Sequence, residues 1–281
     1  MSTVQDLFHK GIQRLAKVPH PALEAKILLL KSASLSEEEF YAFPQKEMSA
    51  EQEQHYFQSV SKRESGFPLA YVIAEKEFWS ISFHVSSGVL IPRPETELLV
   101  EKVIELWSSA RELIVDLGTG AGNIAISLAH ELPQSRIIAT DISPKALEIA
   151  RLNASRNKIS SVTFMCGDLF IPLIEQGLEE KCDFIVSNPP YVSEEEWMDL
   201  PDDIRSYEPK EALVAGKEGL DVIRRLAQES GRFLKRGGYL CFEIGTKQKN
   251  RALSFFKRGW EKVTCVEDLN GVPRVVIAQK R

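Results

Sequence analysis

From residue 113 onward, strand-length apolar runs alternate with helical stretches, and this alternation constrains the fold more than any other feature of the chain. The runs fall at 113–117, 137–140, 162–166, 184–187 and 239–243, and helical stretches near 122–132, 144–157, 218–236 and 247–257 separate most of them. Such a pattern builds a mostly parallel sheet with helices on both faces. The end differs. Two strand-like runs, 262–267 and 274–279, flank Asp268-Leu269-Asn270-Gly271, which carries an Asn-Gly turn signal. The expected fold class is α/β: a Rossmann-like, mostly parallel sheet that finishes in an antiparallel hairpin.

The first 75 residues have a different period. Val4, Leu7, Phe8, Ile12 and Leu15 recur at helical spacing, and Pro21 can open a second helix carrying Leu23, Ile27, Leu28 and Leu30. Ser36 with Glu39, and Ser49 with Gln52, are capping-box patterns for two more helices; Gly66-Phe67-Pro68 stops the last. This reads as a small helical bundle over 1–75, with Phe40, Tyr41, Phe43, Tyr56 and Phe57 expected in its core. Next, Trp79, Ile81, Phe83 and Val85 alternate with Ser80, Ser82, His84 and Ser86, the pattern of a half-buried strand with His84 on its polar face. Ser87-Gly88 reads as a turn and Val89-Leu90-Ile91 as a returning strand, so a hairpin linker is expected over 76–95. Pro92-Arg93-Pro94 imposes an extended stretch. Glu95, Thr96 and Glu97 then start a helix, where acidic groups are favourable. The third region runs over 96–281.

Composition narrows the partners. No run of about 18 apolar residues suggests a membrane span, and residues 1–6 have neither the basic start nor the apolar core of a signal peptide. Cys166, Cys182, Cys241 and Cys265 form no C-x-x-C pair and read as small buried apolar residues, which suits a reducing cytoplasm. A net charge of −5 argues mildly against nucleic acid as the main partner. The densest basic run, Arg224, Arg225, Arg232, Lys235 and Arg236, reads as a solvated face of one helix.

Asp116-Leu117-Gly118-Thr119-Gly120-Ala121-Gly122 follows the first strand of the α/β region and opens a helix. A dinucleotide fingerprint would place its third glycine at 123, which is Asn123, and the Gly-Lys-Ser/Thr of a phosphate loop is absent. A small ligand without a pyrophosphate fits better. The second strand ends in Thr140-Asp141, about 20 residues past the glycines, where a carboxylate can accept both hydroxyls of a ribose. The same Asp141 could instead cap the helix beginning at Ser143-Pro144. The third strand leads into Gly167-Asp168-Leu169-Phe170. Asp168 is placed to accept a hydrogen bond from an adenine amino group, with Leu169 and Phe170 able to pack on the ring.

The most specific feature is an apolar strand that ends abruptly in Asn188-Pro189-Pro190-Tyr191. Two prolines fix the backbone and remove two N–H donors. Asn188 offers a side-chain carbonyl, Pro189 a main-chain carbonyl, and Tyr191 a ring to stack on a planar group. Two rigid acceptors suit an NH₂ group. An amide nitrogen is a poor nucleophile because its lone pair is delocalised. Gripping both hydrogens orients that nitrogen and stabilises the positive charge that develops on it. A sulfonium methyl donor completes this chemistry without a strong general base, and no histidine follows His130. Motif chemistry alone leaves the nitrogen open between an amide and a nucleic-acid base flipped from its stack.

Several segments together carry a family resemblance: Leu90-Ile91-Pro92-Arg93-Pro94-Glu95-Thr96-Glu97, residues 116–122 and 188–191, Glu208-Pro209 with Ala212-Leu213, Glu243-Ile244-Gly245 with Gln248, and Arg274-Val275-Val276. Over essentially its whole length the chain resembles the bacterial release-factor glutamine methyltransferases, the HemK/PrmC family. The resemblance implies a class I methyltransferase domain using S-adenosylmethionine (AdoMet), behind an N-terminal helical substrate-recognition domain. The implied substrate is the glutamine of the Gly-Gly-Gln loop in class-1 peptide chain release factors, and the product N5-methylglutamine. Implied cofactor contacts are Gly118, Thr119, Gly120, Ala121, Gly122, Asp141, Asp168, Leu169 and Asn188. Asn188, Pro189 and Tyr191 are the implied catalytic residues, and these with Pro190 bind substrate. No metal, no stable nucleic acid and no membrane are implied, and a cytoplasmic monomer is expected. Leu169 stands where many relatives carry an aromatic residue, and Ala74 where glycine is frequent.

Overall fold

A computed structural model describes residues 2–110 and 112–281 of the chain. They fall into two compact units. One contains the residues up to Glu75 together with Pro201–Tyr207; the other contains Lys76–Leu200 and Glu208–Arg281.

The first unit is helical: α1 (Val4–Arg14), α2 (Pro21–Ala33), α3 (Glu37–Ala42), α4 (Ala50–Glu64) and α5 (Leu69–Ile73). Pro21 occupies the first position of α2, and Ser36 and Ser49 close capping boxes with Glu39 and Gln52, as the spacing predicts. Leu7, Leu28, Leu29, Tyr56 and Val60 are fully buried in its core. Phe40 is buried too, but Tyr41 and Phe43 are 67% and 58% exposed, so the aromatic run is only partly core. The six-residue α3 is too short to bury more than one side of itself. Buried Arg63 grips Glu24 with two hydrogen bonds of 2.5 and 3.2 Å. The helix at Asp202–Tyr207 belongs here, because the Tyr207 ring packs edge-on to Phe67 and its hydroxyl donates to the Ser65 carbonyl.

The second unit begins in a hairpin, β1 (Glu75–Phe78) and β2 (Ile81–His84). It is shorter than the alternation predicts. Trp79 and Ser80 both have positive φ, as a two-residue type I′ turn requires, and Val89–Ile91 forms no strand. Buried Asn153 docks the hairpin, since it accepts from the His84 N–H and donates to the His84 and Ala121 carbonyls. The remaining elements are α6 (Glu97–Leu106), β3 (Leu113–Leu117), α7 (Asn123–Glu131), β4 (Arg136–Asp141), α8 (Pro144–Arg156), β5 (Val162–Cys166), α9 (Ile171–Glu175), β6 (Cys182–Ser187), α10 (Glu194–Asp199), the already described α11 (Asp202–Tyr207), α12 (Asp221–Glu229), β7 (Leu234–Glu243), α13 (Lys249–Ser254), β8 (Trp260–Glu267) and β9 (Pro273–Lys280).

Seven strands form one sheet in the order β5-β4-β3-β6-β7-β9-β8. The first five are parallel neighbours; β9 runs antiparallel to β7, and β8 antiparallel to β9. This is the mostly parallel sheet with a terminal hairpin that the alternation predicts. The last strand inserts between β7 and β8, which the pattern does not reveal. Every residue of β3 and β6 is buried, consistent with helices covering both faces. Burial works against the Asp183 carboxylate, yet the Leu113 N–H, the Lys235 ammonium and the Glu112 N–H together hold its pKa below the ordinary range.

Two readings change. The basic run does not share one helix: Arg224 and Arg225 lie on α12, Arg232 closes a 3₁₀ turn, and Lys235 and Arg236 lie in β7. Arg225, Arg232 and Lys235 pair with Asp168, Glu179 and Asp183 rather than facing solvent alone. Of the cysteines, Cys182 and Cys241 are buried, Cys265 is half-buried, but Cys166 is exposed.

Ala74 caps α5 in the left-handed region, φ 56°, where a Cβ is strained and glycine is not. Ala74→Gly is expected to stabilise the first unit by roughly 0.5–1 kcal/mol, read as a higher melting temperature. A lower one contradicts the assigned strain.

Candidate active site

The order in which the chain adds strands reverses between β3 and β6, because β4 lies on one side of β3 and β6 on the other. Open α/β sheets bind ligands at the carboxyl ends of strands at such a point. The two chemically specific motifs issue there from neighbouring strands. The Ser187 hydroxyl donates to the Leu117 carbonyl at 2.7 Å and ties their last turns together.

After β3 the chain makes the glycine loop. Gly118, Gly120 and Gly122 have φ of 73°, 55° and 84°. A Cβ on Gly118 or Gly120 would meet nothing within 4 Å, so these glycines serve the turn and leave open space beside the backbone. Gly122 is needed for a different reason, since its Cβ would press on Ile126 and Ala150. The Gly118 and Thr119 amides both donate to the Thr140 carbonyl. Thr119 and Ala121 are buried. The Thr119 hydroxyl donates to Asp116 Oδ2 at 2.6 Å, and the Ala121 carbonyl accepts from Asn153.

Asp116 itself is fully buried, and its Oδ1 has no hydrogen-bond partner among the described residues. Burial pushes its pKa up to about 7, against the hydrogen bonds of Thr119 and the Ala125 amide. The motif contains Asp116, but nothing in the spacing singles out an acid ahead of the glycines as a site residue. Asp141, at the end of β4, accepts from the Gly120 N–H through Oδ2 and from the Ser143 N–H through Oδ1, both at 2.8 Å. Burial raises its pKa as well. The helix cap itself is Ser143, which accepts from the Ala146 amide, so Asp141 is left to shape the loop and keeps a lone pair on each oxygen. Beside it, Ile142 is 66% exposed, an apolar side chain that the sequence reading passed over.

Asp168 follows β5 and is held by Arg225 through both carboxylate oxygens, at 2.9 and 3.1 Å. Leu169 is partly buried with φ 45°. Phe170 does not face this site: it is buried and stacks on Phe233 with centroids 5.2 Å apart. Of the two apolar residues expected to pack on a ligand ring, only Leu169 is partly exposed.

At the end of β6, Asn188 Nδ2 donates to Thr96 Oγ1 at 3.0 Å, and Thr96 donates to Glu243 Oε2 at 2.6 Å. The Tyr191 hydroxyl donates to Glu243 Oε1 at 2.9 Å. Burial raises the Tyr191 pKa, and the Glu243 charge adds to it. Pro189 is buried and Pro190 half-buried. Among the described residues, neither Asn188 Oδ1 nor the Pro189 carbonyl takes a hydrogen bond.

The turn is pinned from behind. Gln248 Nε2 donates to the Tyr191 and Gly219 carbonyls, while its Oε1 accepts from the Gly245 N–H. Val192 pairs with the 213–215 segment. Buried Glu208 accepts from the Ile91 N–H and from Arg93, at 3.1 and 2.5 Å, and so clasps the Ile-Pro-Arg-Pro segment. A cleft of about 730 Å³ between the hairpin and α7, lined by Glu77, Trp79, Glu97 and His130 among others, shares no residue with the glycine loop or the Asn-Pro-Pro-Tyr turn. Its lining offers none of the rigid acceptors described above. No group of three or more His, Cys, Asp or Glu side chains is arranged to hold a metal among the described residues.

Glycine cradle, acidic strand ends and the Asn-Pro-Pro-Tyr turn on this sheet define a class I methyltransferase. Residues 94–201 match the family described as "Methyltransferase small domain", and residues 6–73 the "PrmC N-terminal domain". The chain is 38% identical to the release factor glutamine methyltransferase of Koribacter versatilis over 99% of both chains. It is 40% identical to that of Moorella thermoacetica, over 88% of this chain and 87% of the relative. The chain belongs to the release factor glutamine methyltransferase family. Solved structures share the fold. The hMettl16 catalytic domain in complex with the MAT2A 3′UTR hairpin 6 aligns with TM-score 0.58 at 19% identity, over 79% of this chain and 81% of that one. A methyltransferase from Pyrococcus furiosus aligns with TM-score 0.54 at 20% identity, over 78% and 98%. At such identity these two bear on the fold alone.

Gly219 has φ 69°, and a Cβ there would lie 2.2 Å from the Tyr191 carbonyl oxygen. Gly219→Ala is expected to displace the Asn-Pro-Pro-Tyr turn and lower methyl transfer by about 10- to 100-fold, because misplacing a reacting group by about 1 Å can cost about 100-fold. Full activity in that variant contradicts the pinned turn.

Proposed function

We propose that the chain transfers the methyl group of AdoMet to the side-chain N5 of the glutamine in the Gly-Gly-Gln loop of class-1 peptide chain release factors. The products are N5-methylglutamine and S-adenosylhomocysteine. The observation that carries this reading is the pair of unengaged acceptors, Asn188 Oδ1 and the Pro189 carbonyl, on a turn that cannot relax. A primary amide presents two in-plane hydrogens, and two fixed acceptors hold its nitrogen in one orientation. As the nitrogen gains positive charge, both acceptors bind it more strongly than in the ground state. Tyr191, anchored through its hydroxyl, offers a ring face for the amide plane, and Pro190 lines the substrate side.

The residues present fit AdoMet. The open space beside Gly118 and Gly120 admits a ligand against the backbone. Asp141 keeps acceptor capacity for ribose hydroxyls, and Asp168, which Arg225 already holds, would accept from the adenine amino group beside Leu169. Asp116, buried with one oxygen unpartnered at the base of the loop, suits a cationic end. Bound there, AdoMet supplies a methyl group on a sulfonium, open to displacement by a neutral nucleophile. The backbones of Thr119 and Ala121 complete the cradle, and Asn188 lies where the cofactor and substrate meet. In this reading residues 1–75 recognise the release factor, 76–95 link, and 96–281 perform the transfer, as a monomer in the cytoplasm. No helix among the described residues is long and apolar enough to cross a membrane.

The test uses labelled AdoMet with a purified release factor, the same factor with its Gly-Gly-Gln glutamine replaced, DNA and RNA. Label is expected in the intact factor only. Label in nucleic acid and none in the factor overturns the reading. Asn188→Ala should lower transfer by about 100-fold or more while AdoMet affinity changes only a few-fold, because the lost contact acts mainly in the transition state.

The cofactor should also bind with a pH dependence set by Asp116. With the free carboxyl half-protonated near pH 7, binding a cation beside it must expel the proton below that pH. Affinity is expected to rise about tenfold per pH unit below 7 and to level off above it. Titration calorimetry from pH 5.5 to 8.5 checks this, and a flat profile refutes the role.

A further inference from the structure

Thr96 stands at the start of α6, where a threonine hydroxyl ordinarily caps the helix, yet it makes no cap. Buried with it is Glu243, only 1% exposed at the end of β7. Neither residue touches the substrate nitrogen in the proposed grip. Their hydrogen bonds, however, have a direction. Both Glu243 oxygens accept, one from Thr96 and one from Tyr191, which is the pattern of an ionised carboxylate. A hydroxyl has a single hydrogen, so Thr96, donating to Glu243, can only accept on its other side. What faces it must be a donor, and that is the NH₂ group of Asn188. The Asn188 oxygen is thereby turned away from Thr96.

This matters because the two ends of an asparagine amide have nearly the same shape and opposite polarity. Turned over, Asn188 would point its own NH₂ at the NH₂ of a substrate amide, donor against donor. Packing alone does not distinguish the two orientations; a directed hydrogen-bond chain does. We propose that Thr96 and Glu243 are positioning residues, which hold the Asn188 side chain with its oxygen presented to the substrate nitrogen. This inference rests on the reading of Asn188 as the grip on that nitrogen.

Acidity should report on the chain. Burial raises the Glu243 pKa, while the Thr96 and Tyr191 hydrogen bonds and the Arg274 charge oppose the rise, and Glu95 adds to it. Arg274 is itself held by Asp268. Once protonated, Glu243 can donate to Thr96, and the direction of the chain is no longer fixed.

Steady-state turnover of a purified release factor is measured with wild type, Thr96→Val, Thr96→Ser, Asn188→Ala and Thr96→Val/Asn188→Ala, alongside AdoMet affinity and thermal melts. Thr96→Val keeps the shape and removes the hydroxyl. It is expected to lower kcat by roughly 10- to 100-fold, the scale on which partners that orient a functional side chain act, with AdoMet affinity within about threefold. Thr96→Ser should restore kcat to within about threefold of wild type, which excludes a role of the methyl group or a folding defect. In the Asn188→Ala background, Thr96→Val should add less than about threefold, because the two act as one unit. At saturating cofactor, where the titration of Asp116 is suppressed, wild-type kcat should fall on acidification with a midpoint above the ordinary glutamate range. Glu243→Gln should lose that limb. Near-normal kcat in Thr96→Val, a Thr96→Ser as slow as Thr96→Val, multiplicative losses in the double variant, or an unchanged acid limb in Glu243→Gln each overturns this inference alone. No transfer from wild type to the release factor overturns the underlying reading and this inference with it.

Discussion

Everything in the site depends on β3 and β6 being parallel neighbours. Their residues are buried throughout, their register is fixed by the main-chain ladder, and both end at the same edge of the sheet. One loop must then turn tightly and leave room beside its backbone, and the other must present carbonyl oxygens that nothing local satisfies. Glycines supply the first requirement and prolines the second. The two loops need no lid or partner to meet, because the strands that launch them are already hydrogen-bonded to each other.

A rigid turn still needs supports, and these come from distant parts of the second unit. Gln248 holds the main chain of Tyr191, Glu208 holds the Ile91–Arg93 stretch, and Glu243 gathers the Tyr191 and Thr96 side chains. Each of these three side chains is buried and polar, and in each both ends of the functional group are engaged by named partners. Buried polar groups in this state rigidify rather than weaken a fold, because every alternative arrangement leaves one of them unpaired. The support is thus made of the same material as the site, hydrogen bonds with one permitted direction.

Much of this was legible in the sequence. The alternation of apolar runs announced the sheet, the capping boxes marked α3 and α4, and the glycine spacing argued against a dinucleotide. What stayed hidden has physical causes. The hairpin turn at Trp79-Ser80 lacks glycine or asparagine, so its positive φ values carry no compositional signal. Phe170 and Leu169 are equally apolar on paper, and only the partner Phe233 decides which is core. Tyr41 and Phe43 look like core by type, but the short α3 buries only Phe40 on its packed side, and Phe43 lies past its end. Thr96 and Glu243 are 147 residues apart, and no local pattern pairs them. The clustering of Pro201–Tyr207 with the first unit depends on the packing of Tyr207, which lies outside any periodicity.

The place of β9 has a consequence for biosynthesis. It follows β8 in sequence, yet it lies inside the sheet between β7 and β8. While a nascent chain is still being extended, β7 has an open edge and β8 has nothing to pair with. Parallel strands up to β7 can assemble earlier, but the end of β7, where Glu243 sits opposite Val275 of β9, closes only once Pro273–Lys280 has left the ribosome. Loss of Pro273–Lys280 would therefore remove an internal strand rather than trim an edge, and would leave the end of β7 that carries Glu243, the anchor of the Tyr191 hydroxyl, without its antiparallel neighbour.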